Sequence, residues 1–440
     1  MNKITYFFES KFKLKEHKTD IKTEIIAGLT TFATMAFILA AVPNIMSQAG
    51  FDKGSTLTAV VLLVFASTFV MALVTNKPFA LGPGLGSVGV FAATMIAGDN
   101  ISIPIASGVI FWSGILFVFI SFIGLREAIV QAIPPSIKIS VSAGLGLFLA
   151  LLGFKNVGII VANPVSNTLE FGNLSSPAAI LAILGFVLIL ILEVRKVKGG
   201  MLIAVIATTI IGIPMGVTII PDTLFSLPSG FSEYAFNIDI IGSFSIEYLP
   251  FLFAFFVPDF FSTFGTIIGV GAKAGYLDEN GDMEGIDNCF KVDGIATTVG
   301  AFFCIPCMTT YLESVAGVEA GGKTGLTSMT TAFVFLGTLL ITPIALMIPA
   351  AAVEPVLMYI GIKMLSSMKH IDYEDMLEYL PAFIAITLTI FTNNIANGIA
   401  GAVISYVILK LSLGKEVYSK VPKLMYGLAV ILGYYFYTLA

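Results

Sequence analysis

Residues 309–322 read Thr-Thr-Tyr-Leu-Glu-Ser-Val-Ala-Gly-Val-Glu-Ala-Gly-Gly, a Gly-rich and weakly hydrophobic stretch inside an otherwise apolar chain. Residues 79–89, Phe-Ala-Leu-Gly-Pro-Gly-Leu-Gly-Ser-Val-Gly, have the same character in the first half. Each stretch is followed by a long apolar segment, then by an Ile-Pro turn (Ile133-Pro134 and Ile348-Pro349), then by a Gly-containing segment. This correspondence predicts that the chain is built from two repeats, each with one interrupted segment.

The composition places the chain in a lipid bilayer. Of its 440 residues, 57% are hydrophobic and 12% are charged, and the mean hydropathy is +0.96. A soluble domain carries about 25% charged residues, so this chain has too few to cover a surface exposed to water. Apolar runs of roughly 17–25 residues recur from Ile25 onward, and each is long enough to cross a hydrocarbon core of ~30 Å as a helix. The runs do not alternate in polarity, which favours helices over a β-barrel.

The basic residues indicate which loops face the cytoplasm. With the N-terminus inside, the lysines of residues 3–22 and most later Lys and Arg fall on the cytoplasmic side, whereas only Lys53 and Lys155 fall outside. The loop 221–246 carries acidic residues but no Lys or Arg, so it is predicted to be external. This distribution agrees with the positive-inside rule. Residues 1–20 are polar and Lys-rich, unlike a cleavable signal peptide.

The two Gly-rich stretches are predicted to form a binding site. About seven predicted spans separate them, and an odd number of spans per repeat inverts the second copy in the membrane. Gly lets the backbone leave helical geometry, and the N-terminus of a half-helix then directs free N–H groups at a bound solute. Paired interruptions of this kind mark the midplane site of membrane transporters. The alternative is that these glycines only allow helices to pack closely.

A charge at membrane depth costs at least ~2.5–3.5 kcal/mol, so each acidic residue there is a functional hypothesis. Glu313 opens the second interrupted segment, and we expect it to contact a substrate or a coupling proton. Asp259, mid-helix, is the second candidate. Asp293 is predicted to cap the cytoplasmic end of a helix, Glu319 is predicted to pair with Lys323 at i+4, and Glu354 lies near the end of a span.

Other motifs are assigned no chemistry. Residues 317–324 match the phosphate-loop pattern GxxxxGK[ST], but no buried strand precedes them, so nucleotide binding is not expected. Cys304 and Cys307 have CxxC spacing without a second pair, which favours small buried side chains over a metal or redox site. His17 and His370 lie near predicted cytoplasmic ends, and no nucleophile–base pair is visible. The sequence therefore predicts no enzyme activity, catalytic residue, metal or cofactor.

The chain resembles the AzgA-type purine permeases, within the nucleobase–cation symporter class. The resemblance runs from Lys11 to about residue 412. It is carried by the segments Phe12-Lys-Leu-Lys-Glu-His17, Thr23-Glu-Ile-Ile-Ala-Gly-Leu-Thr-Thr-Phe32, Ile133-Pro-Pro-Ser-Ile-Lys138, Ser142-Ala-Gly-Leu-Gly-Leu-Phe148, Thr309–Thr327 and Ile395-Ala-Asn-Gly-Ile-Ala-Gly401. The Thr309–Thr327 stretch is the most specific of these.

The resemblance implies an all-α polytopic fold of about fourteen transmembrane helices. These would form two inverted seven-helix repeats, divided into core and gate domains, with two broken segments. The substrate would be a purine nucleobase (adenine, guanine, hypoxanthine or xanthine), imported with protons by an elevator-like movement. By position, Glu313 matches the substrate-binding glutamate of the tenth span, and Asp259 matches the first acid of the Asp-Leu-Phe-Asp-Thr-x-Gly-Thr pattern in the eighth; both are candidates for proton coupling. The predicted substrate contacts are Glu313, Ser262, Asp259, Phe261, Ser87, Gly86, Tyr311, Thr310 and Ser314.

Two departures from the family pattern concern this site. Ser262 stands where the family has its second acid, and Ser87-Val88-Gly89 stands where the family has Leu-Asn-Ala. A carboxylate only accepts hydrogen bonds, whereas a hydroxyl both donates and accepts, so Ser262 is expected to change which base fits. A same-fold carrier of another small solute or anion therefore stays open as an alternative. A channel or a transport-dead sensor is a further one.

The resemblance also predicts domain boundaries and a location. The core domain would comprise 22–125 and 246–348, and the gate domain 126–245 and 349–412, flanked by a cytoplasmic segment 1–21 and a C-terminal segment 413–440 with an extra hydrophobic helix. We expect a multi-pass protein of the cytoplasmic (inner) membrane with a cytoplasmic N-terminus. Its partners would be the purine, the proton and the bilayer, without nucleic acid, and a homodimer is a candidate assembly.

Overall fold

The computed structural model describes residues 3–123, 134–163, 168–197, 199–231, 234–277, 283–392, 394–414 and 421–438. Ile133 and the predicted domain boundary at 125/126 lie outside these ranges. The described residues are mostly helical, as the continuous apolar runs predict.

The first half of the chain begins with an amphipathic helix and continues with apolar helices. They are α1 (Lys3–Phe12), α2 (Ile21–Met35), α3 (Ile38–Ser47), α4 (Lys53–Thr75), α5 (Leu85–Gly89, continued by a π-helical stretch Val90–Ile96), α6 (Ile103–Ile123), α7 (Pro135–Asn156), α8 (Pro177–Val194) and α9 (Gly200–Gly212).

The second half repeats this arrangement. Its helices are α10 (Leu249–Ala274), α11 (Ile286–Ala301), α12 (Ser314–Glu319), α13 (Gly325–Gly337), α14 (Thr342–Leu346), α15 (Ala350–Leu365), α16 (Met376–Phe391), α17 (Ile395–Ser412) and α18 (Lys423–Thr438).

The strands are short, and two of them connect the halves. Strand β1 (Leu81–Pro83) pairs antiparallel with β4 (Met308–Thr310), with Gly82 opposite Thr309. The other pair, β2 (Ile160–Ala162) with β3 (Leu169–Phe171), lies in the loop after α7. Each strand of the first pair is followed by a short helix, α5 or α12, so both interrupted segments are extended chain leading into a half-helix.

Eight helical stretches of the described residues are long and apolar enough to cross a membrane, and shorter apolar helices accompany them. The predicted multi-span helical fold is therefore confirmed. The apolar runs at 201–220 and 292–307 each predict a span, and the structure changes the bounds of both. The span expected at 201–220 ends at Gly212, where a turn precedes the long loop. The span expected at 292–307 is instead the helix Ile286–Ala301, because polar residues before 292 join it.

One group of helices packs around the two interrupted segments. Helix α13 packs on α2 and α4, and α11 packs on α6. Glycines allow these contacts: a Cβ at Gly28 of α2 would lie 2.6 Å from the Thr327 carbonyl oxygen, and one at Gly114 of α6 would lie 2.7 Å from the Thr298 amide nitrogen. The backbones of these helices thus approach as closely as small residues allow.

A second group of helices is built around α7. Helix α15 packs along α7, α16 packs on α7 and α17, and α8 packs on α15. At the centre of this group, a Cβ at Gly361 of α15 would lie 2.5 Å from the carbonyl oxygen of Gly146 in α7. The helices of this group come from the stretches of sequence between and after the interrupted segments.

Candidate functional site

The crossing of the two interrupted segments is held by backbone hydrogen bonds. The Gly84 N–H donates to the Cys307 carbonyl at 2.9 Å, and the Tyr311 N–H donates to the Ala80 carbonyl at 2.9 Å. Cys307 has a positive φ of 38°, an unusual conformation for a non-glycine residue that turns the chain into β4. The half-helices α5 and α12 therefore begin next to each other.

A buried carboxylate beneath this crossing organises β4. Asp293 of α11 is fully buried, and its Oδ2 accepts hydrogen bonds from the Thr310 N–H (2.9 Å), the Thr310 hydroxyl (3.0 Å) and the Thr263 hydroxyl (3.0 Å). Because the Thr263 proton is used in that bond, the Thr309 hydroxyl at 2.9 Å is the donor to Thr263. The prediction that Asp293 caps a helix end is wrong: it lies mid-helix, where it anchors the second interrupted segment.

Asp259 lies beside this network. It is 3% exposed, and its Oδ2 accepts from the Thr297 hydroxyl of α11 at 3.2 Å. The Oδ1 atoms of both Asp259 and Asp293 are buried without a hydrogen-bond partner among the described residues. Asp259 and Asp293 are close enough for their charges to repel each other. Two negative charges so close together in a medium of low permittivity are costly, and binding a positive charge lowers that cost. The simplest such charge is a proton.

Glu313 and Ser262 are more accessible than these aspartates. Glu313 is half-buried just before α12, and no hydrogen bond from a described side chain reaches its carboxylate. Its backbone carbonyl oxygen lies 3.3 Å from the Thr34 hydroxyl, which has a closer acceptor in the Thr31 carbonyl oxygen at 2.8 Å. Ser262 is exposed on α10, which packs against α12. Asp259, three residues earlier on α10, is turned into the protein instead. The accessible polar groups of this region are therefore Glu313 and Ser262.

Three other predicted contacts are engaged within the crossing. The Tyr311 hydroxyl donates to the Pro83 carbonyl at 2.5 Å, and the Ser314 hydroxyl accepts from the Ala80 N–H at 3.1 Å. Thr310 is bonded to Asp293 as described. Tyr311 and Ser314 therefore connect the second interrupted segment to the first, whereas Thr310 connects it to α11.

The remaining predicted contacts lie where the two helix groups meet. Gly86 of α5 faces Leu145 of α7 so closely that a Cβ at position 86 would overlap the leucine side chain. Ser87, the next residue of α5, is buried. The Phe261 ring of α10 lies under the Lys138 ammonium of α7, 4.8 Å from its centroid. The first interrupted segment and α10 thus both contact α7.

The other acidic residues predicted to lie at membrane depth, Glu319 and Glu354, each have a partner in the structure. Glu319 forms a salt bridge with Lys273 at 3.7 Å, so the predicted pairing with Lys323 is wrong. Glu354 is 1% exposed and accepts from the Asn156 amide at 3.1 Å. Cys304 and Cys307 are buried free thiols, as predicted. Sequence reasoning missed the role of Asp293 because the predicted span began at residue 292, which put an internal residue at a helix end.

The sequence matches the permease family Xan_ur_permease over residues 22–416. The chain belongs to this family. Among its relatives, a putative permease of Methanocaldococcus jannaschii is 37% identical, covering 99% of this chain and 100% of the relative. The adenine permease AdeP of Escherichia coli is 34% identical over 92% and 91%. The guanine/hypoxanthine permease PbuO of Bacillus subtilis is 35% identical over 92% and 95%.

The fold of this permease has relatives among solved structures. The transmembrane domain of the cyanobacterial bicarbonate transporter BicA superposes with a TM-score of 0.64 at 15% identity, covering 87% of the permease and 97% of that domain. This likeness confirms the predicted inverted-repeat fold with core and gate domains. The protein is a multi-pass membrane permease of a transporter family, not of an enzyme family.

Proposed function

We propose that this permease imports a purine nucleobase with protons by an elevator-like alternation of the core domain against the gate domain. The observation that carries the proposal is the similarity, over nine-tenths of the chain, to permeases named for adenine and for guanine and hypoxanthine. The half-buried Glu313 at the crossing of the interrupted segments supports it. Glu313 is only partly covered, and no described side chain donates a hydrogen bond to its carboxylate.

In this proposal the base binds between the two half-helices. Glu313 accepts hydrogen bonds from ring N–H groups, and the exposed Ser262 hydroxyl offers one donor and one acceptor. Phe261, next to Ser262 on α10, supplies an aromatic ring for stacking on the base. Ser87, Gly86, Thr310, Tyr311 and Ser314 shape the site through the crossing, and Asp259 lies behind it.

Proton coupling is assigned to Glu313 and Asp259, with Asp293 as the partner of Asp259. A proton entering down the membrane potential contributes ~2.3 kcal/mol per 100 mV, enough to concentrate a neutral base. Protonation relieves the repulsion within the buried aspartate pair, and binding of the base relieves the isolation of Glu313. Both events lower the cost of moving the site across the low-permittivity interior.

The movement is assigned to the two helix groups. We place the core in residues 22–125 and 246–348 and the gate in 126–245 and 349–412, because the former include the interrupted segments and the latter include α7 and the helices packed on it.

We further propose a cytoplasmic (inner) membrane with the N-terminus in the cytoplasm, on the strength of the lysine distribution. A homodimer is also proposed, because α16 exposes Phe383 and Phe391, which a second copy could cover; native mass spectrometry in detergent tests it.

Uptake of radiolabelled adenine, guanine, hypoxanthine and xanthine by cells lacking their own purine permeases tests the proposal. We expect at least one base to accumulate, and a protonophore to abolish the accumulation. Failure of all four to accumulate in cells with protein in the membrane overturns the purine assignment. Accumulation that survives the protonophore overturns proton coupling.

Glu313→Gln isolates the role of the accessible carboxylate. We expect uptake to be abolished at an unchanged protein level, because the amide no longer carries the charge that the ring N–H groups or the proton require. Glu319→Gln is the matched control, since Glu319 belongs to the same short segment but forms a salt bridge with Lys273. Normal uptake by Glu313→Gln contradicts the assigned role.

A second function is favoured by one observation. Ser262 removes an acid from the family pattern, which makes the site less negative and better suited to an anion or another small solute. Uptake of labelled bicarbonate or a similar small anion, with no accumulation of any purine, would support this reading over the first.

A further inference from the structure

At the end of the phosphate-loop pattern (residues 317–324), the hydrogen-bond donors bind a carboxylate of the same chain. Glu24 of α2 is fully buried, and its carboxylate reaches the N-terminus of α13. Oε1 accepts from the Lys323 N–H at 2.9 Å, and Oε2 accepts from the N–H and hydroxyl of Thr324 at 3.2 and 2.8 Å and of Thr327 at 3.2 and 2.6 Å. Five donors of the turn that resembles an anion site are thus bonded to one carboxylate.

This arrangement is stronger than an ordinary helix cap. Hydrogen bonds to an ionised acceptor at a helix N-terminus combine charge assistance with the helix dipole. The next donor, the Gly325 N–H, is satisfied by the Asn76 side-chain oxygen at 3.0 Å. A buried carboxylate with this many partners fixes the position of the chain on which they lie.

Helix α2 follows the second interrupted segment from Glu24 to the candidate site. Gly317 of α12 lies directly against Thr31, and a Cβ at Gly322 would be 2.8 Å from the Ala27 Cβ. At the other end of α2, the Thr34 hydroxyl oxygen lies 3.3 Å from the carbonyl oxygen of Glu313, although the carbonyl oxygen of Thr31 is a closer acceptor for its proton at 2.8 Å. The contacts of α2 with the second interrupted segment therefore run from Glu24, beside residues 323–327, to Thr34, beside Glu313.

We propose that Glu24 is a positioning residue: its carboxylate, bound in the residue 323–327 turn, sets the register of α12 on α2 and thereby places Glu313 at the crossing. The proposal rests on the proposed function only for its transport readout. The phosphate-loop pattern then has a different role in this membrane permease. The donors of Lys323 and Thr324, which would bind a phosphate in a nucleotide-binding protein, bind Glu24 instead.

Chemical rescue tests this role in the full-length permease reconstituted in proteoliposomes. Glu24→Ala leaves the donors unsatisfied and opens a space of carboxylate size, so we expect the KM for the transported base to rise roughly tenfold. Formate added to the lumen and the bath should restore KM in Glu24→Ala and leave wild type unchanged. Glu319→Ala is the matched control, and we expect neither a loss nor a formate effect there.

A second readout does not depend on transport. Leu312 is 55% exposed next to Glu313, and Cys289, Cys304 and Cys307 are buried, so the thiol of Leu312→Cys reports the position of this segment. In the Glu24→Ala background we expect its labelling rate by a soluble maleimide to change at least roughly threefold and to return with formate. Leu227→Cys, in a distant exposed loop, should label equally in both backgrounds.

The outcomes separate the two proposals. If wild type transports no purine, the purine assignment fails, while the labelling experiment still tests Glu24. If formate restores neither KM nor labelling in a folded Glu24→Ala protein, the positioning role is overturned. A lower melting temperature with unchanged KM and labelling also overturns it, because that result describes a merely structural residue.

Discussion

At the scale of single residues, the candidate site separates into buried and accessible acids. Asp293 and Asp259 lie in the network of hydroxyl groups beneath the crossing, whereas Glu313 is half-buried just before α12. The buried pair is proposed both to anchor the second interrupted segment and to bind a proton. The less buried carboxylate of Glu313 is proposed to bind the solute. Ser262 is exposed on α10, which packs against α12, and it departs from the family pattern, so it is the residue to test for the choice of substrate.

Ser262→Asp restores the acid that the family pattern has at this position. We expect the order of preference among adenine, guanine, hypoxanthine and xanthine to change at least about tenfold, since a buried donor or acceptor left unpaired is strongly rejected. Competition of unlabelled bases against labelled uptake measures the change. An unchanged profile would mean that position 262 does not contact the base.

Asp293→Asn and Asp293→Ala separate charge from hydrogen bonding. The asparagine oxygen can still accept from Thr310 and Thr263, so we expect this variant to fold but to lose proton-driven accumulation. Alanine leaves three buried donors unpaired and should lower the free energy of unfolding by about 3 kcal/mol. Denaturation in detergent and protonophore-sensitive uptake give the two readings. Full accumulation by Asp293→Asn would exclude the aspartate pair from coupling.

At the scale of elements, several of the described helices begin at a residue whose side chain caps them. Asp52, just outside α4, accepts from the Ser55 N–H at 2.7 Å and from the Ser55 hydroxyl at 2.9 Å. The backbone N–H of Ser55 lowers the pKa of Asp52 below its ordinary value. A lowered pKa in the folded state contributes stability above the unfolded pKa of about 3.9 and loses it as the pH falls through the folded value.

Asp52→Ala should therefore destabilise the permease by about 1 kcal/mol at pH 7, the usual value of an N-cap. Below about pH 4 the difference from wild type should shrink, because the wild-type carboxyl becomes protonated. Melting temperatures in detergent from pH 7 to pH 3 measure this. Asp52→Asn, an uncharged cap, should show a smaller loss without that pH dependence. A constant difference between Asp52→Ala and wild type across the range would contradict the cap assignment.

At the scale of the whole molecule, the proposed transport cycle depends on movement between the two helix groups. Half-helix α5 meets α7 at Gly86 and Leu145, and α10 meets it at Phe261 and Lys138. On the other side, Lys53 of α4 and Glu354 of α15 attract each other across the same boundary. These contacts must change if the core moves relative to the gate.

A disulfide between the two groups should stop that movement. A Cβ at position 86 would lie 2.8 Å from the Leu145 Cγ, so the two sulfurs of Gly86→Cys/Leu145→Cys are expected to lie within reach of a disulfide once the leucine side chain is removed. We expect oxidation to abolish uptake and reduction to restore it, with no effect of the oxidant on either single variant. Transport that continues in the fully cross-linked protein would contradict an elevator-like displacement of α5 along α7.

Composition and pattern alone determined the class of the protein. The apolar runs predicted the helices, because a bilayer admits only helices or closed barrels and these runs do not alternate as barrel strands do. The matched Gly-rich stretches predicted two interrupted segments, and the Thr309–Thr327 stretch predicted the permease family. These properties are local: each can be evaluated from consecutive residues without knowing what lies beside them.

Only the tertiary structure decided which acids are buried and what they hold. Asp293 and Thr310 are 17 residues apart and Glu24 and Thr327 are 303 apart, so neither contact leaves a periodic signal in the sequence. The structure pairs the first interrupted segment with the second, and it turns Asp259 inward while leaving Ser262 outside. The physical reason is that burial and hydrogen bonding depend on which helices pack together, whereas the pattern of a single helix specifies only that it lies in the membrane.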